Sequence, residues 1–204
     1  MSVIPLGLFE KAAPAAPPWS RAQMAGRFAE VTAATAPATL TLAMGLVADA
    51  QREGETCAWV SARASSFFPP DASAGGVDLE TLAVVRLAGA HAAARAADKL
   101  LRSGGFGLVV LDLGDGDAAA RGLTPALMGR LQGLAQKHGA VLVCLTEKKP
   151  DAPSLGSLVS LRVQACRRRV AEGRFLCELR ATKDKRLAPG WTYAEAVRGP
   201  AGLR

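Results

Sequence analysis

Side chains able to take part in catalysis or ligand binding are few in this sequence, and three groups of them carry its functional content. The first is Asp112, which closes the apolar run "LVVL" from Leu108 to Leu111. An aspartate at the carboxyl end of a buried strand lies in the crevice where open α/β sheets bind ligands, and there it can hold a magnesium ion or its water. The second group is a connection, "AATAPA", Ala33 to Ala38, joining an apolar strand to a helix-forming run. In a nucleotide-binding α/β protein such a connection cradles phosphate with glycine N–H groups and one lysine, in the pattern GxxxxGK[ST]. Here it contains neither residue type. The third group is cationic: Lys148 and Lys149, Arg167, Arg168 and Arg169, and Lys183, Lys185 and Arg186.

A triphosphate facing Asp112 across "AATAPA" would lack its main positive partners. The attraction of an exposed helix N-terminus, about 0.3 to 1 kcal/mol, cannot replace a glycine nest and a lysine. Asp112 therefore has a second reading, as a cap for a turn or an acceptor for a neighbouring loop N–H. No GxSxG, HExxH or GxGxxG pattern occurs, and two histidines, His91 and His138, leave no Ser/His/Asp set. The four cysteines, Cys57, Cys144, Cys166 and Cys177, form no CxxC pair, so neither a zinc site nor a redox motif is supported. Cys57 and Cys144 sit in apolar runs as small buried thiols would. The residues thus predict a protein without catalytic, metal-binding or cofactor-binding sites.

The net charge of +7 is unevenly placed. Residues 1–161 carry 14 Lys and Arg against 14 Asp and Glu, whereas residues 162–204 carry 11 against 4. A basic end on a neutral body predicts a surface for nucleic acid or an acidic protein partner, or else a solvated face without a dedicated partner. Phosphate contacts by Lys148, Lys149, Arg167, Arg168, Arg169 and Arg186 would give weak, sequence-independent DNA binding that falls with salt. Aromatic rings for stacking bases are thin, with Phe175, Trp191 and Tyr193 the candidates. No apolar run approaches the roughly 20 residues that span a bilayer, and no signal-like start is present. A soluble, cytoplasmic protein without membrane contact is expected.

The elements that must position these residues follow from periodicity. Residues 1–20 are rich in proline and alanine and read as an extended arm, within which "FEKA" offers Phe9 and Ala12 as an anchor for a neighbouring subunit, against the plainer reading of a disordered lead-in. Strands are expected at 28–32, 56–61, 82–87, around 106–116 and at 140–146, with helices at 39–53, 91–101 and from Thr124-Pro125 to His138. Gly54 and Gly139 stop two of the helices, and "SSFFPPDASAGG" breaks regularity. From Leu158 onward strand follows strand: "LVSLRV", "RFLCELRAT" and "TYAEAV". Parallel strands with right-handed helical crossovers, then an antiparallel extension, predict a three-layer α/β/α core over residues 21–190, followed by a short terminal strand and tail at 191–204.

The order of these pieces resembles a known family. "GRFAEV" (Gly26 to Val31) followed by "TLTLAMGLVADAQREGETCAWVSA" (Thr39 to Ala62) is similar to the Walker A strand, helix and second strand of the RecA recombinases. The similarity continues through "GVDLETL", "ADKLLRSGGFGLVVLD", "LTPALMGRLQGLAQKHGAVLVCLTE" and "KDK", and so covers roughly residues 24–190. The resemblance implies a RecA-like fold, with Asp112 as a vestigial Walker B acid and Lys183 and Lys185 at the place of paired lysines that RecA presents to a neighbour's nucleotide. The departures fall on the chemistry: the phosphate loop is shorter and lacks its pattern, and Arg63 stands at or near the place of the water-activating glutamate. Glu147 replaces the ATP-sensing glutamine, and "KKPDAPSLGS" stands for the mobile DNA-binding loop. A RecA-like chain of this kind resembles the ImuA accessory proteins of SOS mutagenesis cassettes. That implies a non-catalytic role in translesion synthesis, with an ImuB-like Y-family polymerase homologue and RecA as partners. The degenerate RecA-like plan is shared with SulA-type division inhibitors that bind FtsZ. An ATPase with a non-standard phosphate loop is the enzyme alternative.

Overall fold

The computed structural model of the protein describes residues 17–33, 38–62, 67–149 and 151–199. Phe9 and Ala12, Arg63 and most of the "AATAPA" connection lie outside them. In chain order the elements are α1 (Arg21–Met24), β1 (Phe28–Ala33), α2 (Thr39–Arg52), β2 (Cys57–Ser61), α3 (Pro69–Ala74), β3 (Leu82–Arg86) and α4 (Ala90–Ser103). They continue with β4 (Leu108–Asp115), α5 (Gly116–Gly122), α6 (Pro125–His138), β5 (Val141–Glu147), β6 (Leu161–Ala171), β7 (Arg174–Asp184) and β8 (Thr192–Arg198).

All eight strands form one sheet in the order β3-β2-β4-β5-β1-β6-β7-β8. The first six are parallel to their neighbours, while β7 runs antiparallel to β6 and β8 antiparallel to β7. This is the α/β architecture expected from the alternation of strand and helix patterns, with the antiparallel extension at its carboxyl end. The central strands β4 and β5 are apolar on both faces because both faces are covered, as parallel sheets require. One core layer packs α2 on the sheet through Leu42, Leu46 and Val47 against Val31, Trp59, Val110 and Val163. The opposite layer packs α4, α5 and α6 through Ala94, Leu101, Ala119, Leu127 and Leu131 against Phe28, Val60, Leu111 and Leu142.

Local signals set the boundaries. Thr124 Oγ1 accepts the Leu127 N–H at 3.3 Å and Pro125 occupies the first turn of α6, while Gly139 closes the helix at φ 63°. Short helices account for what the periodicity missed. The stretch read as irregular at "SSFFPPDASAGG" contains α3, because Pro69 and Pro70 stand in a first turn whose N–H groups need no partner and Asp71 favours the dipole there. The alanines of α5 form a helix between two glycines, and Gly122 lets α5 approach α4 so closely that a Cβ there would lie 2.5 Å from that of Ala90. β6 starts at Leu161, three residues later than the pattern indicates, because 151–160 is a folded loop. No helix among the described residues is long and apolar enough to cross a membrane.

Candidate functional site

The strands β2, β4, β5 and β1 are adjacent and parallel, so their carboxyl ends lie along one edge of the sheet, and the chain passes from that end of β1 to the N-terminus of α2. Asp112 stands there on β4, 1% exposed, between Ser61 of β2 and Leu145 of β5. Alternation along β4 places it on the α2 side of the sheet with Leu108 and Val110. Its carbonyl accepts the Ala62 N–H at 2.8 Å, and the strand is irregular just beyond it, between Asp112 and Gly114. Gly114, at φ 64°, supplies the left-handed backbone of that bulge. The N-terminal residue of α2 is Thr39, preceded by Ala38, whose side chain offers no cap. Among the described residues no group of three His, Cys, Asp or Glu side chains is placed to hold a metal ion.

A second charged centre lies on the other side of the sheet, and the sequence reading did not single it out. Glu30, in the middle of β1, is fully buried. Its carboxylate accepts from Lys148 Nζ at 2.8 Å, Ser154 Oγ at 2.8 Å, the Leu155 N–H at 3.0 Å and Thr146 Oγ1 at 3.3 Å, with Arg162 Nε 3.8 Å away. Lys148 also donates to the Pro153 carbonyl at 3.0 Å. The paired lysines complete the fastening from the end of β7. Lys183 reaches the carbonyls of Gly156 and Ser157 at 3.5 and 3.4 Å, and Lys185 donates to that of Ser157 at 2.6 Å. Burial, with the neighbouring Lys185, pushes the Lys183 ammonium below its usual range. The stretch "PSLGS", 153–157, is thus tied to the sheet by four charged side chains.

The cations expected to form one contact surface are dispersed by the fold. The Lys148 side chain is 8% exposed in its pair with Glu30, whereas Lys149 is exposed. Arg167 lies over the ring of Phe175, its Cζ 5.0 Å from the centroid. Arg168 reaches Glu178 at 3.6 Å, and Arg169 donates to the Ala171 carbonyl at 3.4 Å. Arg186 donates to the carbonyls of Ala25 at 2.8 Å and Gln23 at 3.5 Å, which ties the turn after β7 to α1. Glu147 ends β5 and is exposed. An open groove of about 860 Å³ lies between α2, α3 and β8, bounded by Pro17, Leu40, Met44, Phe68, Tyr193 and Glu195, and Asp112 has no part in it. Burial raises the Glu195 carboxyl against the pull of its Tyr193 hydrogen bond, and burial with Glu195 raises the Tyr193 hydroxyl to about 12.

Residues 22–126 match the RecA N-terminal domain family. The chain belongs to this family. Among curated proteins it is similar to Protein RecA of Fusobacterium nucleatum, 36% identical over 87 residues that make up 43% of this chain and 23% of that protein. Protein RecA of Rickettsia massiliae is 32% identical over 87 residues, 43% of this chain and 25% of the relative. For Protein RecA of Paramagnetospirillum magneticum the identity is 36% over 87 residues, 43% of this chain and 24% of that protein. The matching segment spans about a quarter of the length of these relatives. The family match runs from α1 through β4 and ends at the start of α6, so it includes β1, α2 and Asp112. Within that RecA-like core, the connection from β1 to α2 carries no GxxxxGK[ST] pattern.

Proposed function

We propose that this RecA-related protein is a non-hydrolytic accessory factor of SOS-induced mutagenesis, similar to the ImuA proteins, that acts by binding other proteins. Its partners in this reading are an ImuB-like Y-family polymerase homologue and RecA itself, with DNA contact secondary. The observation that carries the reading is the connection 33–38, which has no glycine or lysine although the strand and helix on either side match the family. A polyphosphate there would meet neither a nest of N–H groups nor a fixed ammonium. The two lysines that the resemblance places at a neighbour's nucleotide support the same reading, because both are engaged with carbonyls of their own chain.

The test is a pair of measurements on the purified full chain. Titration calorimetry with Mg-ATP is expected to give no heat of binding at millimolar nucleotide. Immobilised protein is expected to retain the polymerase homologue and not FtsZ. Tight, magnesium-dependent ATP uptake abolished by Asp112→Ala would establish the ATPase alternative, and selective capture of FtsZ would establish a division inhibitor.

A further inference from the structure

Among the described residues no helix packs on one face of the antiparallel extension. On β6, β7 and β8 the residues Val163, Ala165, Cys177, Leu179 and Ala181 point into the α2 layer, with Tyr193 and Val197 packed against it. Alternation then turns Arg168, Arg174, Arg180 and Arg198 to the opposite side, where all four are exposed. The same face carries one carboxylate among the paired positions, Glu178, which Arg168 and Cys166 share. Arg174 and Arg198 stand directly opposite each other on neighbouring strands. Like charges so placed destabilise a sheet, and no acidic side chain among the described residues pairs with either. An uncompensated repulsion of this kind is relieved by a polyanion.

We infer that this bare face of β6, β7 and β8 binds nucleic acid through its phosphate backbone, without base stacking, and therefore favours a duplex over a single strand. Two observations select this occupant over an acidic protein. Among the described residues this face carries no aromatic side chain, its apolar positions being Ala171, Leu176, Ala194 and Ala196 with Cys166 beside them, none of them a large anchor ring. The charges are instead spread. Arg174 and Arg180, six residues apart on one strand, are separated by about 20 Å, close to the axial length of six base pairs, with Arg168 and Arg198 about one strand spacing to either side of β7.

The lack of stacking follows from the same alternation. Phe175 and Tyr193 face the α2 side, and Trp191 Nε1 is bonded to Asp184 at 2.9 Å. With phosphate contacts alone, the denser charge of a duplex makes it the better ligand, whereas a stacking platform favours single strands.

This deepens the proposed function and rests on it for the setting in which nucleic acid is met. Fluorescence anisotropy of a labelled 30-mer, duplex and single-stranded, is measured with the full chain between 50 and 200 mM NaCl. Four phosphate contacts give log K against log [salt] a slope of about −3.6, and each arginine lost lowers its magnitude by about 1. Arg174→Gln, Arg180→Gln and Arg198→Gln are each expected to weaken duplex binding about eightfold at 0.1 M salt, the factor that 0.9 log unit per contact implies. Arg86→Gln, which removes the same charge from the exposed edge of β3, is expected to leave binding unchanged. The Arg198→Gln variant is also expected to melt no lower than the parent, since it removes a repulsion. No duplex binding at 50 mM salt, tighter binding of the single strand, equal loss in Arg86→Gln, or binding of polyglutamate in place of the duplex would each overturn the inference. Capture of the polymerase homologue by the same variants separates failure of this face from failure of the adaptor reading.

Discussion

Asp184 sits between Lys183 and Lys185 at the end of β7, and its carboxylate collects four donors. Arg27 provides the ion pair, Trp191 Nε1 donates at 2.9 Å, and the backbone N–H groups of Arg186 and Leu187 donate at 2.8 and 3.0 Å. The side chains of Arg27 and Asp184 are 2% and 0% exposed. In Asp184→Asn the guanidinium keeps one neutral acceptor from the backbone, the Ser160 carbonyl at 3.1 Å, and loses its counter-charge inside the protein. Removing one partner of a buried pair costs about 3 to 5 kcal/mol, because the other charge is left uncompensated. Against a total stability of about 5 to 15 kcal/mol, that is a large fraction.

Urea unfolding followed by far-UV circular dichroism should therefore show Asp184→Asn with an unfolding free energy lowered by that amount, seen as a lower midpoint at an unchanged slope. Arg27→Met is expected to lose less, since the carboxylate retains three N–H donors, and the double variant less than the sum of the two. The pH dependence has a definite sign. Burial alone would raise the Asp184 carboxyl, but the bonds from Arg27, Leu187, Trp191 and Arg186 outweigh it and hold it below its ordinary 3.8. A depressed folded pKa gives stability that is complete above the unfolded value and is lost as pH falls through the folded one, so the Arg27→Met variant should differ from the parent most above pH 5 and converge toward it in acid. An unfolding free energy for Asp184→Asn within about 1 kcal/mol of the parent would refute the reasoning, because a solvated pair behaves that way.

Three other expectations use different measurements. Glu30→Ala leaves Lys148 without its partner and the loop 153–157 without its central acceptor, so limited proteolysis should cut between 148 and 158 in that variant and not in the parent, with a stability loss of about 3 to 5 kcal/mol in urea. Thr124→Ala removes the side-chain cap of α6 and should lower stability by about 1 kcal/mol, whereas Thr124→Ser should be nearly neutral. Of the four free thiols three are buried, and burial raises Cys57 to about 12. Ellman's reagent at pH 8 should therefore meet one fast group, Cys166, in the native protein and four after denaturation, with Cys166→Ser abolishing the fast phase.

What the sequence made legible was whatever depends on neighbours in the chain. The continuous apolar runs of β4 and β5 identified central strands, and Thr124-Pro125 with Gly139 bracketed α6 to the residue. The short helices escaped because a four- or six-residue turn has no periodicity to detect, and in α3 the prolines that open it read equally well as breakers. The buried charges escaped for another reason. Glu30 and Lys148 are 118 residues apart, and Arg27 and Asp184 are 157 apart, so only the folded sheet brings them together. A hint existed in "FAEVTA", where one carboxylate interrupts a strand buried on both faces and must have a partner. The composition of the basic end carries no information on which side of the sheet each cation takes. Period-two alternation divides it: Arg167 turns toward the α2 side, Arg168 away from it, and the lysines toward carbonyls of the loop.

The packing of α2 on the sheet is strong in its own right, whatever the composition of the connection before it. Leu42, Ala43, Leu46, Val47 and Ala50 are each at most 1% exposed, Trp19 Nε1 donates to the Leu42 carbonyl at 3.1 Å, and the Arg21 N–H bonds Asp49 at 2.8 Å. Burying a large aliphatic side chain contributes about 1.5 to 3 kcal/mol, so Leu42, Leu46 and Val47 alone supply several times what a bound anion gains from the helix dipole. The helix is therefore held by its buried face. At 153–157 Glu30 and the lysine pair likewise fasten a loop to the sheet. A helix held by its buried face and a loop fastened by buried charges suit the proposed role as a platform whose work is done at its outer surfaces.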